Sequence, residues 1–301
     1  MDFSSECVVS GLDLWQWYRS AQSDGLKAGI YVAEVDWLLQ EFAGLDRLTL
    51  RLESFKDWPN ISMRLSLVEL NNLWYRRLNE KVPLQYLIGV TYWRNFSLEV
   101  GFGVLIPRPE TECLIDLVVA ATNSVSHLQQ GIWVDMGTGS GAIAFGLAEV
   151  LTEASIYAVD CSPEALAIAR QNGTKLGLGN KINFCQGSWW EPLEHLRGKV
   201  SGMVANPPYI PSDMVSTLQV EVREHEPHLA LDGGADGLDC IRYLIETAPL
   251  YLVSGGVWLV EMMSGQGDKV AEMLQENRAY CGVEIFPDIE GVDRFAMAYL
   301  R

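Results

Sequence analysis

The residues with the most specific chemistry are Asn206-Pro207-Pro208-Tyr209, which follow the apolar run 202–205. An amide or exocyclic amine nitrogen is a poor nucleophile, because its lone pair is delocalised. It also carries two hydrogens that need acceptors. The Asn206 side-chain oxygen and the Pro207 carbonyl can accept one each. Such bonds hold the NH₂ group and encourage lone-pair density toward an electrophile. Pro207 and Pro208 fix backbone angles and stiffen the loop, and Tyr209 can pack its face on a planar acceptor. The motif predicts direct in-line displacement driven by positioning, with no metal and no strong general base. A strand-ending turn is the plainer reading of Asn and Pro. The motif's place two strands beyond Asp160, in one predicted sheet, favours chemistry.

A second constellation lies upstream. The stretch Trp133-Val134-Asp135-Met136-Gly137-Thr138-Gly139-Ser140-Gly141-Ala142 ends an apolar strand and opens an apolar helix. Glycines there allow a tight turn and close backbone approach to a ligand. The run can also be read as the dinucleotide variant Gly-x-Gly-x-x-Ala. Two details favour S-adenosylmethionine. Asp135 sits two residues before the first glycine, where a carboxylate could engage an ammonium group. The glycines also alternate with no need for a pyrophosphate cradle.

Asp160 ends the next predicted strand, and a carboxylate there can accept from both ribose hydroxyls. Its alternative role is a cap on the helix that opens at Ser162-Pro163. Gly187-Ser188-Trp189-Trp190 follows the third strand, where an adenine ring would lie. Either indole could stack on the ring or belong to the core, with Trp189 the favoured partner.

The elements that must position these residues follow from periodicity. Strands are predicted over 132–136, 155–160, 182–186, 202–205, 256–261, 283–286 and 294–300, with helical stretches between the first five. That alternation predicts a parallel doubly wound α/β sheet with helices on both faces. The last two strands are joined only by a short stretch from Pro287 to Asp293. It is too short for a helical crossover, so they read as an antiparallel hairpin.

Residues 1–85 read as a small all-α bundle. Leu12, Leu14, Trp15 and Tyr18 recur at helical spacing, as do Val32, Val35, Leu38, Leu39 and Phe42. Gly44 suits a helix stop, and a further periodic stretch runs from Met63 to Leu78. The segment 86–108 reads as a linker: Tyr92, Phe96, Leu98 and Val100 alternate as a hairpin, Gly101-Phe102-Gly103 supplies a turn, and Val104-Leu105-Ile106 follows. The second domain is then 109–301.

Composition narrows the function class. The formal charge is -17, and residues 1–106 hold 10 of the 22 basic and 13 of the 39 acidic side chains, so the acid excess lies beyond them. Nucleic-acid binders usually carry basic patches. This chain has no Lys/Arg cluster beyond Arg76-Arg77, and no direct nucleic-acid contact is expected. The 6 cysteines are scattered without Cys-x-x-Cys spacing, which argues against zinc and against a secreted disulfide framework. His225 and His228 lie close but lack a third ligand at zinc-like spacing, so no metal is expected. No stretch approaches the ~18 apolar residues of a membrane span. The polar, acidic start does not read as a signal peptide. A cytoplasmic monomer is expected.

Together these motifs resemble the release-factor glutamine methyltransferases, the HemK/PrmC family. The resemblance covers nearly the whole chain. It rests on Ile106-Pro107-Arg108-Pro109-Glu110-Thr111-Glu112, on Asp135 to Gly141, and on Asn206-Pro207-Pro208-Tyr209-Ile210. It rests further on Glu226-Pro227 with Ala230-Leu231 before Gly233-Gly234-Ala235-Asp236-Gly237-Leu238. The Asn-Pro-Pro-Tyr motif alone is shared with adenine-N6 and guanine-N2 methyltransferases; the Pro-Arg-Pro-Glu-Thr-Glu segment is what narrows the family.

The resemblance implies a seven-stranded, Rossmann-like class I methyltransferase domain preceded by a helical domain that helps dock a peptide-chain release factor. The substrate would be the glutamine of a Gly-Gly-Gln loop, methylated on its side-chain N5. Gly137, Thr138, Gly139, Ser140, Gly141, Asp160 and Trp189 would contact S-adenosylmethionine, alongside Asp135, Ser188 and Asn206. Asn206, Pro207, Pro208 and Tyr209 would hold the glutamine amide. Ser188 departs from the family pattern, which commonly has an acidic residue there. Two competing functions are a nucleic-acid base methyltransferase, whose mark would be a basic recognition region, and a non-catalytic module that senses the cofactor.

Overall fold

Apolar side chains spaced three and four apart build the N-terminal helices. In the computed structural model, which describes residues 7–123 and 125–301, the chain divides between Gly89 and Val90 into two compact units. The first holds α1 (Gly11–Lys27), α2 (Val32–Ala43), α3 (Arg47–Leu52), α4 (Leu67–Asn79) and α5 (Leu84–Ile88). Ser10 caps α1 by accepting from the Asp13 amide, and Leu14, Tyr18 and Ala21 face the core. Leu12 is exposed, because at 100° per residue it points away from the Leu14–Tyr18 stripe. Val35, Leu38, Leu39 and Phe42 are the buried stripe of α2, which Gly44 ends in the left-handed conformation. The helix expected from Met63 starts later, at Leu67. A Ser66–Glu69 capping box fixes that start. Met63 belongs instead to a short strand: β1 (Cys7–Val9) pairs antiparallel with β2 (Ile61–Met63), an addition to the expected helices. Buried Arg77 of α4 is paired with Glu34 of α2.

The second unit opens with a two-stranded hairpin, β3 (Val90–Trp93) and β4 (Phe96–Glu99), in which Trp93 faces Phe96. The reversal falls at Arg94-Asn95, and the Arg94 amide donates to the Glu112 carboxylate. Gly101-Phe102-Gly103 is a later turn. The expected linker 86–108 therefore straddles the division: Tyr86 to Gly89 group with the helices and the hairpin groups with the sheet.

A single turn of helix at Glu110–Glu112 leads into α6 (Cys113–Thr122), followed by α7 (Ser126–Gln129), β5 (Ile132–Met136), α8 (Ala142–Val150), β6 (Ser155–Asp160), α9 (Pro163–Lys175), β7 (Ile182–Gln186) and β8 (Val200–Ala205). Next come α10 (Ser212–Val215), α11 (Val220–His225), α12 (Asp239–Thr247), β9 (Leu252–Glu261), α13 (Gly267–Glu276), β10 (Tyr280–Pro287) and β11 (Asp293–Leu300). The seven strands β5 to β11 form one sheet in the order β10-β11-β9-β8-β5-β6-β7. Strands β9, β8, β5, β6 and β7 run parallel to one another, and β11 runs antiparallel to both β9 and β10.

Alternation along the strands splits the core into two layers. Val134, Met136, Met203, Ala205, Trp258 and Val260 pack with α12 and α13 on one face. Trp133, Ile156, Ala158, Val204, Val257 and Leu259 pack with α6 and α8 on the other. Every residue of β8 is buried, as a central strand covered on both faces requires. Gly202 belongs to that strand for a steric reason: a Cβ there would lie 2.3 Å from the Trp133 ring. The order reverses between β8 and β5, and in open α/β sheets that reversal opens a crevice at the carboxyl ends of the strands.

Candidate active site

The glycine loop is shaped by two carboxylates, one buried and one half-buried. Asp135, at the end of β5, is 0% exposed. Its Oδ2 accepts from Thr138 Oγ1 at 2.6 Å and from the Ala144 amide at 3.0 Å, which ties the loop to the first turn of α8. Its Oδ1 is buried without a hydrogen-bond partner. Burial pushes the Asp135 carboxyl up to about 7, against the pull of those two donors.

Asp160, at the end of β6, accepts from the Gly139 amide at 2.8 Å and from the Ser162 amide at 2.9 Å. Burial raises its carboxyl above the ordinary range while these amides oppose the rise. The cap of α9 is Ser162, whose side chain accepts from the Ala165 amide. Asp160 thus latches the glycine loop to β6. Gly141 turns the chain into α8 at φ +92, and a Cβ there would sit 2.5 Å from the Phe145 ring.

The acceptor motif is held from below. Asn206 Nδ2 donates to Thr111 Oγ1 at 3.2 Å, and that hydroxyl donates to Glu261 Oε2 at 2.7 Å. Tyr209 OH donates to Glu261 Oε1 at 3.1 Å, and the Tyr209 carbonyl accepts from Gln266 Nε2 at 3.0 Å. Pro207 is buried and Pro208 half-buried. Burial raises the Glu261 carboxyl to about 7, opposed by the two hydroxyls and by Arg294.

The motif and the loop open onto one cavity of about 460 Å³. Gly137, Gly139, Asp160, Ser188, Trp189, Asn206 and Pro208 line it. Its mouth adds Val104 and Leu105 from the segment after the hairpin and Pro227, Leu229 and Ala230 from the turn after α11. Arg108 Nη2 lies 2.8 Å from both carboxylate oxygens of Glu226, so an ion pair ties those two rim segments together.

Other expected site residues flank these lining residues in sequence. Asp135, Thr138, Ser140, Gly141, Pro207 and Tyr209 are absent from the cavity lining. Thr138 and Ser140 are buried, and the Ser140 carbonyl accepts from Asn172 Nδ2. The Tyr209 ring packs against the core and its hydroxyl is committed to Glu261. The two tryptophans part company. Trp189 lines the cavity in the left-handed conformation, φ 51. Trp190 is core, stacked on Tyr251 at 4.2 Å. Among the described residues, no group of three His, Cys, Asp or Glu side chains is placed to hold a metal ion.

A family profile described as a methyltransferase domain matches residues 129–284. The release factor glutamine methyltransferase of Synechocystis sp. is 49% identical over 296 residues, covering 96% of this chain and 97% of that protein. The chain belongs to the release factor glutamine methyltransferase family. The Thermosynechococcus vestitus member is 47% identical over 294 residues, 96% of this chain and 99% of its own. The fold is also similar to that of the hMettl16 catalytic domain, solved in complex with the MAT2A 3'UTR hairpin 6. That likeness has a TM-score of 0.55 and 14% identity, over 77% of this chain and 80% of that one.

As a methyltransferase of this family, the protein carries site-shaping residues that the motif reading left without a role. In the sequence Thr111 stands only within a family segment, and Glu261 only at the end of a predicted strand. A charged residue closing the apolar run Val257-Trp258-Leu259-Val260 is the signal that could have exposed Glu261. Asn172 gave no such signal. It lies on α9, is 0% exposed, and bridges the Glu99 backbone to Ser140.

Proposed function

We propose that the enzyme transfers a methyl group from S-adenosylmethionine to N5 of the glutamine in the Gly-Gly-Gln loop of a peptide-chain release factor. The observation that carries this reading is the single cavity onto which both the glycine loop and Asn206 open. A volume of about 460 Å³ lies in the range of small-molecule sites. Further support comes from the buried, unpartnered Asp135 Oδ1, an atom that an ammonium group would satisfy. Asp160 retains lone pairs for ribose hydroxyls beside its two amide contacts, and Trp189 and Ser188 offer a face and a hydroxyl for adenine.

When bound, S-adenosylmethionine supplies an electrophilic methyl carbon. The chain's part is positioning. The Asn206 Oδ1 and Pro207 carbonyl accept the two hydrogens of the glutamine NH₂, holding its nitrogen in line with that carbon. The proton at that nitrogen leaves late, to water, so no strong base is needed. The sheet unit from Val90 performs the transfer, while the helical unit that ends at Gly89 serves as the recognition module. The acid excess beyond residue 106 suits a cationic donor and a partner with basic surface. We infer further that it acts in the cytoplasm as a monomer.

The test is methyl transfer from labelled S-adenosylmethionine to an intact release factor, its Gln→Ala loop variant, and a mixed DNA/RNA pool. Label on the intact factor alone is expected. Label on the loop variant or on nucleic acid refutes the glutamine assignment.

A further inference from the structure

A carboxamide can turn half a revolution about its last side-chain torsion and present NH₂ where oxygen is needed. An amide clamp that meets a substrate NH₂ with its own NH₂ repels it. Something must therefore decide which way Asn206 points, and Asn206 alone does not.

The hydrogen-bond directions in the site make that decision. A threonine hydroxyl has one hydrogen. Thr111 gives it to Glu261 Oε2 at 2.7 Å. Toward Asn206, 3.2 Å away, Thr111 can then act only as an acceptor, so the atom facing it must be Nδ2. The amide oxygen is left for the substrate side. The second Glu261 oxygen takes the Tyr209 hydroxyl at 3.1 Å, which fixes the far end of the motif.

Glu261 is 2% exposed at the end of β9. It lies opposite Phe295 of β11, and its neighbour Val260 pairs with Ala205 of β8 just before Asn206. Arg294 and Glu110 are the other charges acting on it. Thr111 approaches from the turn before α6. Three segments far apart in sequence thus converge under the acceptor motif, with a buried carboxyl group as the fixed point.

We propose that Glu261 and Thr111 are positioning residues, and that the Glu261–Thr111–Asn206 relay locks the Asn206 carboxamide with its oxygen toward the substrate nitrogen. The relay rests on the reading of Asn206 as a clamp for the substrate amide. It also confers selectivity. A fixed acceptor at Asn206 favours an atom that carries hydrogens, such as an amide NH₂, over a carboxylate oxygen of the same shape, because a carboxylate there would set lone pair against lone pair.

The experiment compares steady-state kinetics of full-length T111V, T111S, E261Q and N206A on the release factor with calorimetric affinity for S-adenosylmethionine. T111V deletes the hydroxyl at nearly constant shape. E261Q lets the new amide donate to Thr111, which frees the threonine hydrogen to capture the Asn206 oxygen. Both are expected to lower kcat by about tenfold to a hundredfold, with KM for the factor and cofactor affinity within about twofold. T111S keeps the hydroxyl and recovers most of the kcat that T111V loses. Wild-type kcat in T111V and E261Q alongside an inactive N206A refutes the relay and leaves the clamp. An active N206A refutes the clamp itself. A T111V that loses cofactor affinity in step with kcat, without recovery in T111S, makes Thr111 a scaffold residue and also overturns the relay.

Discussion

Replacing Arg108 with alanine isolates the ion pair that ties the two rim segments of the cavity together. Arg108 Nη2 reaches both oxygens of Glu226 at 2.8 Å, and the glutamate side chain is 2% exposed against 33% for the arginine. Removing one partner of a fully buried pair costs about 3–5 kcal/mol, because the other charge is left uncompensated. A third of Arg108 meets water, which screens part of that interaction. The expected loss for Arg108→Ala at neutral pH is therefore about 2–3 kcal/mol.

The pH dependence has a definite sign. Burial already holds the Glu226 carboxyl above its ordinary range, and Arg108 opposes that rise. Without Arg108 the carboxyl rises further. A carboxyl whose folded value is raised binds its proton more tightly when folded, so its contribution is present at low pH and lost as pH climbs through the folded value. The deficit of Arg108→Ala against wild type is thus small near pH ~5 and full near pH ~8. Urea denaturation of both proteins at the two pH values measures it. A deficit equal at both, or below about 0.5 kcal/mol at the higher pH, refutes the reasoning.

Three further outcomes are expected. Asp160→Ala unlatches the Gly139 and Ser162 amides and removes the proposed ribose acceptor, and should weaken S-adenosylmethionine binding by at least about tenfold in calorimetry; unchanged affinity returns Asp160 to a purely structural role. Gly141→Ala combines left-handed strain of about 1–2 kcal/mol with overpacking of about 1–3 kcal/mol against buried Phe145. A denaturation free energy within about 0.5 kcal/mol of wild type contradicts that geometry. Asp135 must be ionised to hold an ammonium group, and its carboxyl sits at about 7. Affinity for S-adenosylmethionine should therefore fall as pH drops from about 7.5 to about 5.5, and Asp135→Asn should bind weakly with a flatter profile. A variant that keeps the wild-type slope assigns the titration to another group.

Much of this protein is legible in its sequence, for local reasons. The central strands β5, β8 and β9 show as apolar runs, because strands covered on both faces admit little else. The antiparallel pairing of β10 and β11 follows from a connection too short for a crossover. Gly44 marks a helix stop, and the two glycine- and proline-bearing loops mark the cavity, because backbone conformation is written in residue type.

What stays hidden depends on partners distant along the chain. The turn of the hairpin at Arg94 is fixed by Glu112, and the late start of α4 by a capping box that periodicity overruns. Trp189 and Trp190 are identical neighbours, and only packing sends one to the cavity and the other onto Tyr251.

The sequence by itself determined the sheet, the family and the atoms that can accept two amide hydrogens, since each is carried by a contiguous motif. Tertiary structure alone decided how those atoms are aimed. Thr111 and Glu261 lie 95 and 55 positions from Asn206, and nothing local couples them. Their meeting comes from the strand order that sets β9 beside β8 and from the turn before α6 that crosses beneath both. Hydrogen-bond direction is a property of the assembled network, because each donor's role is set by what its acceptor has already taken.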